Sequence, residues 1–208
     1  MKKWILAAWL LTTVYTAPCI AGAGAMIEPL PWPEAAACTN CLSIQIDELS
    51  IRFPADRIAR MNTFASPPGI HLSLKATQDG PEHLISMSAS TSAQALEQAQ
   101  RAGFPRAQDT QDFDSLLVKI GDLDPDSAES RRLRKLFGLD QSAKITRSER
   151  NDIVAYGFWR NPTELEKIAV ILKGCDSVGC DNIYELYGPI PTAMFMDILR
   201  QMDRTPPP

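Results

Sequence analysis

Ile153-Val154-Ala155-Tyr156-Gly157-Phe158-Trp159, followed by Ile168-Ala169-Val170-Ile171-Leu172, is the stretch on which the fold turns. Both runs are β-branched and aromatic, the composition that fills a pleated surface. Both are also apolar at odd and even positions alike. A half-solvated strand alternates, so these two must lie centrally in a sheet with cover on each face. The Asn161-Pro162 region separates them as a turn, and Ile183 to Tyr187 supplies a third strand. Pro191 then opens a helix whose Met194, Phe195, Ile198, Leu199 and Met202 form one apolar stripe.

Upstream the pattern changes to strict alternation. Leu42, Ile44 and Ile46 precede Asp47-Glu48, and Leu49, Ile51 and Phe53 follow it. Folding back about that pair opposes Ile46 with Leu49, Ile44 with Ile51 and Leu42 with Phe53, which gathers the apolar residues on one face. Glu48 suits a tight turn poorly, so one bulged strand stays open as an alternative. Pro54 to about Phe64 is expected as a short helix with Ile58 and Met61 inward. A second hairpin centred on Asp79-Gly80 pairs Ala76 with His83, Leu74 with Ile85, Leu72 with Met87 and Ile70 with Ala89. Its other face carries His71, Ser73, Ser86 and Ser88 and reads as solvated.

The middle is helical: Ala93 to Ala102, a stripe of Phe113, Leu116, Leu117 and Ile120, and a third helix from about Ser127 to Phe137. Asp126 and Glu129 stand at capping-box spacing before that third helix. The polar segment Asp140 to Asp152 is expected as an exposed loop. Strand-helix alternation of the parallel kind is lacking, so the expected fold is α+β: one domain over residues 42–205, an antiparallel sheet with helices packed mainly on one face.

The N-terminus speaks to compartment. Lys2 and Lys3, the apolar run Trp4 to Ala17 and the small residues Ala21-Gly22-Ala23-Gly24-Ala25 read as a secretory signal over residues 1–25, placing the folded part in a periplasm. Uncleaved, the same stretch would serve as a membrane anchor. Cys19 follows Thr16-Ala17-Pro18, flanks that fit a lipoprotein signal poorly. Residues 26–41 form a Pro/Ala-rich leader ending in Cys38-Thr39-Asn40-Cys41, and 206–208 a disordered tail. With Lys2 and Lys3 set aside the chain holds 19 basic and 25 acidic residues, a net charge of −6. That sign argues against nucleic acid or anionic lipid as a general partner.

Four cysteines remain beyond the signal: Cys38, Cys41, Cys175 and Cys180. In an oxidising compartment an even number implies two disulfides. The local pairing, Cys38 with Cys41 and Cys175 with Cys180, is favoured by proximity; a long-range pairing would constrain the unfolded chain more, and four thiolates could also hold zinc. The Cys38-x-x-Cys41 spacing is that of dithiol oxidoreductases, but strand, not helix, is expected to follow, which withholds the helix dipole that activates such a thiol.

Other chemistries find little support. His71 and His83 fall on opposite faces of one hairpin and cannot share a metal there. Asp122, Asp124 and Asp126 imitate the start of a calcium loop, but Ser127 stands where glycine is required and Leu133 where a bidentate glutamate is required. With no nucleophile elbow or phosphate loop to read, no catalytic, cofactor-binding or metal-binding residue is assigned and no cofactor is expected. Arg131, Arg132, Arg134, Lys135, Arg147 and Arg150 concentrate positive charge in an acidic chain and are the expected anchor for a protein partner. Tyr156, Phe158, Trp159, Tyr184 and Tyr187 divide between core and a sticky outer face. The expected function is that of an exported, non-catalytic protein that binds a macromolecule, such as an inhibitor, an immunity-type protector or an accessory subunit. A thiol-disulfide oxidoreductase using Cys38 and Cys41 is the alternative.

Overall fold

The computed structural model describes residues 27–65, 68–75, 77–103, 112–124, 126–140, 142–174 and 181–205. Residues 1–25, expected as a signal, Cys175 and Cys180, and the expected tail at 206–208 lie outside these residues. The two-sided apolar runs become β8 (Ile153–Asn161) and β9 (Glu164–Leu172), and the third run becomes β10 (Asn182–Pro191). They sit inside an eight-stranded sheet ordered β1-β7-β8-β9-β10-β6-β5-β4, where β1 is Ile27–Pro29, β4 Ile58–Ala65, β5 Pro68–Lys75, β6 Glu82–Thr91 and β7 Lys144–Arg150. All pairings are antiparallel except the short parallel one between β1 and β7.

Alternate residues of the central strands feed two separate cores. Val154, Tyr156, Phe158, Ala169, Ile171 and Ile183 face one way and are covered by α1 (Ser92–Arg101), α2 (Phe113–Gly121) and α3 (Ala128–Leu136). Ala155, Trp159, Val170, Leu172, Tyr184 and Leu186 face the other way. That second face is covered by α4 (Thr192–Gln201) and by a three-stranded sheet ordered β11-β3-β2, made of Met202–Arg204, Leu49–Pro54 and Cys41–Ile46. The expectation of helices mainly on one face is therefore corrected: α4 and the small sheet form a layer opposite α1 to α3. The two-sided apolarity of β8 to β10 required a second layer. What builds it is the N-terminal hairpin, far away in sequence.

That hairpin folds in the expected register, with Leu42 opposite Phe53, Ile44 opposite Ile51 and Ile46 opposite Leu49. Asp47, at φ 48°, takes the left-handed position that Glu48 could ill supply. The Pro54 to Phe64 segment differs from expectation. A single 3-10 turn at Ala55–Arg57 gives way to strand β4, because pairing with β5 outweighs a weak local helical preference. The second hairpin is displaced by two residues: Leu74 pairs with His83, Leu72 with Ile85 and Ile70 with Met87. A shift of two preserves the buried face, and the connection lengthens around a turn in which Gly80 N–H donates to the Thr77 carbonyl.

The Asp140 to Asp152 segment is another correction. Its residues 144–150 form β7, which returns into β8 through Asn151 at φ 55°. Thr146 and Ser148 are buried on it, and polar character disguised the strand. Among the caps, Thr91 and Gln94 close a reciprocal box on α1, Asp112 caps α2, and Ser127, in place of Asp126, caps α3. Each satisfies amide donors a helix cannot bond itself. Gly188, at φ 146°, lets β10 pass β6 so closely that a Cβ there would meet the Leu84 carbonyl at 2.2 Å. The register of β10 against β9 slips between Tyr187 and Ile190.

Candidate functional site

The helix layer stops halfway across the sheet. α1 to α3 cover β7 to β10, while the same face of β6, β5 and β4 has no helix over it among the described residues. Alternation along β6 therefore points Ile85 and Met87 into the core and turns Leu84 to solvent, 60% exposed. Around it lie His71, whose Nδ1 is 2.8 Å from the Ser86 hydroxyl and whose ring stacks on Phe64 at 4.5 Å, and Ser73, which donates to Glu82 at 2.6 Å.

Where the helices end against this open face there is a cleft of about 790 Å³, lined by Gln94, Gln98 and Arg101 of α1, Lys135 and Leu136 of α3, and the sheet residues described next. Lys167 on β9 and Glu185 and Tyr187 on β10 share the helix-side face. The Lys167 ammonium donates to Glu185 at 3.1 Å and to the Phe137 carbonyl at 3.2 Å, and lies 4.4 Å from the Phe158 ring centre and 5.4 Å from that of Tyr187. With two acceptors and two π faces, a lysine only 8% exposed is compensated for lost hydration. The Tyr187 hydroxyl donates to Glu185 at 2.8 Å, and burial together with that carboxylate pushes its phenol well above the ordinary range. Arg101 pairs with Glu97 on α1, and the Ser142 hydroxyl donates to Glu166. The cleft is thus polar but largely neutralised from within, beside exposed Leu84, Leu136 and Tyr187.

A second charge cluster locks the covered half. Asp114 in the first turn of α2 receives a two-pronged contact from Arg147 at 2.9 and 2.8 Å and a hydrogen bond from the Tyr156 hydroxyl at 2.5 Å, with the Lys173 ammonium at 3.3 Å. Burial alone would push this carboxyl up; the hydrogen bonds from Arg147 and Tyr156 and the nearby cations outweigh it and hold it below the usual range. Burial and the same carboxylate raise the Tyr156 phenol far above its ordinary value.

No family model, curated protein or solved structure matches this chain. The site is therefore read from its own geometry. The structure divides the six basic residues proposed as a partner anchor. Arg131, Arg132 and Lys135 are exposed on α3, with Arg132 donating to the Ala102 carbonyl at 2.8 Å. Arg134, 5% exposed, turns inward to Ser130 and the Gly121 carbonyl. Arg147 serves Asp114, and Arg150, on the opposite face of β7, bonds the Met202 carbonyl and lies 5.0 Å over Trp32. Cys38 and Cys41 are joined, with Cα atoms 5.8 Å apart, and Cys38 lines a separate cleft of about 420 Å³ on the α4 side.

Sequence reasoning placed no weight on Lys167, Glu185 or Leu84. The signal lay in the exceptions: a lysine directly before one run apolar on both parities, a glutamate within another, and a leucine on the serine face of its hairpin.

Proposed function

We propose that this chain is an exported, non-catalytic protein that binds another macromolecule, using the uncovered half of the sheet and the cleft beside it. One observation carries the reading. A sheet half-covered by helices leaves Leu84 and Tyr187, 60% and 43% exposed, beside a cleft walled by Lys135 and Leu136. Apolar side chains rimmed by polar groups are the composition of a protein-binding surface. The charged groups of the cleft support binding over catalysis. Burial and the Glu185 carboxylate push the Tyr187 phenol further up from neutral pH, and the Lys167 ammonium is engaged by Glu185 and the Phe137 carbonyl, contacts that hold it in place. Export is read from residues 1–25, and a Cys38–Cys41 bridge is in keeping with an oxidising compartment, so the partner sought is a periplasmic protein.

The test compares two variants in a periplasmic extract. Leu84→Glu/Tyr187→Ser should lose a partner that wild type retains, and hydrogen exchange in that complex should slow along β6. Arg131→Glu/Lys135→Glu asks whether α3 contributes; Arg134 is left alone because its side chain is internal. A partner retained equally by both variants and wild type overturns the reading.

A second reading, thiol-disulfide exchange at Cys38 and Cys41, is favoured by the cleft that Cys38 lines, where Arg52, Arg57, Lys75 and Arg200 would stabilise a thiolate. It predicts that Cys38 reacts fastest with an alkylating agent after mild reduction. Slow, unselective alkylation sinks it.

A further inference from the structure

The α4-side cleft has a chemistry distinct from the helix-side one. Its walls come from β3, the 3-10 turn, the end of β5, α4 and the docked leader. Four cations, Arg52, Arg57, Lys75 and Arg200, stand against two carboxylates, Asp56 and Asp197. In a chain whose balance without Lys2 and Lys3 is −6, that is a local reversal of sign. Asp197 is shared by Arg57 at 3.3 Å and Arg200 at 3.0 Å, which positions two guanidinium groups and leaves donors on each. Arg52 and Lys75 have no ion-pair partner among the described residues.

The floor adds a second demand. Gln201 of α4 is only 8% exposed, and its Nε2 donates to the Ala36 carbonyl at 2.8 Å. Only the amide nitrogen can donate to a carbonyl, so the orientation is fixed and Oε1 is the remaining group. Among the described residues that buried Oε1 has no hydrogen-bond partner, and Gln201 lines the cleft. A buried acceptor left unmade costs free energy, so the site favours a ligand that brings a donor. Phe53, Leu74 and Met194 provide apolar surface beside it.

We propose that this cleft receives the free C-terminal carboxylate of a peptide. The terminal carboxylate meets the arginines and Lys75, in the charge-assisted contacts that guanidinium groups make best. A backbone N–H of the peptide supplies the donor that Gln201 Oε1 lacks, and the last side chain lies against Phe53, Leu74 and Met194. Inorganic phosphate would satisfy the cations and leave the apolar floor unused. A fatty acid would use that floor and offer no donor. The volume, about 420 Å³, lies within the range of small-ligand sites. The Cys38–Cys41 bridge fixes the leader wall, so the cleft is preformed in the oxidised protein. This site and the helix-side surface lie on opposite faces of the sheet and stand or fall separately.

Calorimetric titration of the oxidised protein with N-acetyl-leucyl-leucine, its C-terminal amide, octanoate and inorganic phosphate tests the assignment. The acid should bind about tenfold or more tightly than the amide, octanoate or phosphate. Arg52→Gln/Lys75→Gln, which breaks no ion pair of the fold, should weaken the acid by about tenfold with the melting temperature unchanged. Gln201→Met should narrow the preference for the acid over octanoate. Equal binding of acid and amide, octanoate binding as tightly as the peptide, no binding at all, or an Arg52→Gln/Lys75→Gln variant that binds like wild type each overturns the proposal.

Discussion

The two halves of the eight-stranded sheet share one backbone plan and differ in what lies over them. Through the middle of β8, β9 and β10 both faces are buried, and the side chains read as core on either parity: Val154 and Ala155, Val170 and Ile171, Ile183 and Tyr184 are all at most 2% exposed. Across β5 and β6 one face is core, with Leu72 and Ile85 fully buried, while the opposite face carries Leu84, His71, Ser86 and Ser88; β4, at the edge, is exposed along most of its length, Met61 included. The covered half spends its polar residues on internal locks such as Asp114 with Arg147. The open half leaves side chains to meet something else. On the proposed reading, stability and recognition are segregated along a single sheet, and substitutions can separate them.

The largest expected effect breaks the lock on the covered half. Arg147→Leu leaves the Asp114 carboxylate, 7% exposed, with only Tyr156 and Lys173 to compensate, and should cost about 3–5 kcal/mol in chemical denaturation. The same carboxylate gives the covered half an acid dependence. A carboxyl depressed in the folded state contributes stability that is present above its ordinary pKa near 4 and is lost as pH falls through the depressed value. Asp114→Asn should flatten that acid limb. A limb of unchanged slope would mean that the network does not govern it.

Next in size is a contrast within the open half. Leu72→Ala removes a side chain at 0% exposure and should cost about 2–5 kcal/mol, whereas Leu84→Ser, on the uncovered face, should stay within about 0.5 kcal/mol. Equal costs for the two would show that something covers Leu84 in the folded chain. Smaller again, Tyr156→Phe deletes the hydroxyl bonded to Asp114 and should cost about 1–3 kcal/mol near neutral pH. Its sign at alkaline pH is set by the raised phenol. Wild type keeps this contribution below the ordinary tyrosine value near 10 and loses it as pH climbs further, and the phenylalanine variant should not show that loss.

Several elements were legible from the chain alone because their information is local. The β2–β3 register follows from alternation on each side of Asp47-Glu48, and α1, α2, α3 and α4 from stripes and caps at helical spacing. The misread segments share a cause. β4, with Arg60 and Asn62 along it, and β7, with Lys144, Arg147 and Arg150, have weak periodicity of their own and become strands because a neighbour offers a ladder. The candidate sites were hidden for a related reason. Lys167 and Glu185 are 18 residues apart and meet only because β9 and β10 pair, and Arg57 and Gln201 line one cleft from positions far apart along the chain.

What the sequence determined by itself is the character of each strand and helix face, and through the two-sided apolar runs the need for a layer on both sides of the central sheet. Only the tertiary structure decided that one layer is three helices and the other a helix with the N-terminal hairpin, and that the helices stop short of β6, β5 and β4. Face polarity is written residue by residue, since burial is a property of each side chain. The occupant of a face is chosen by contacts between distant segments, and no local pattern encodes a partner that lies a hundred residues away.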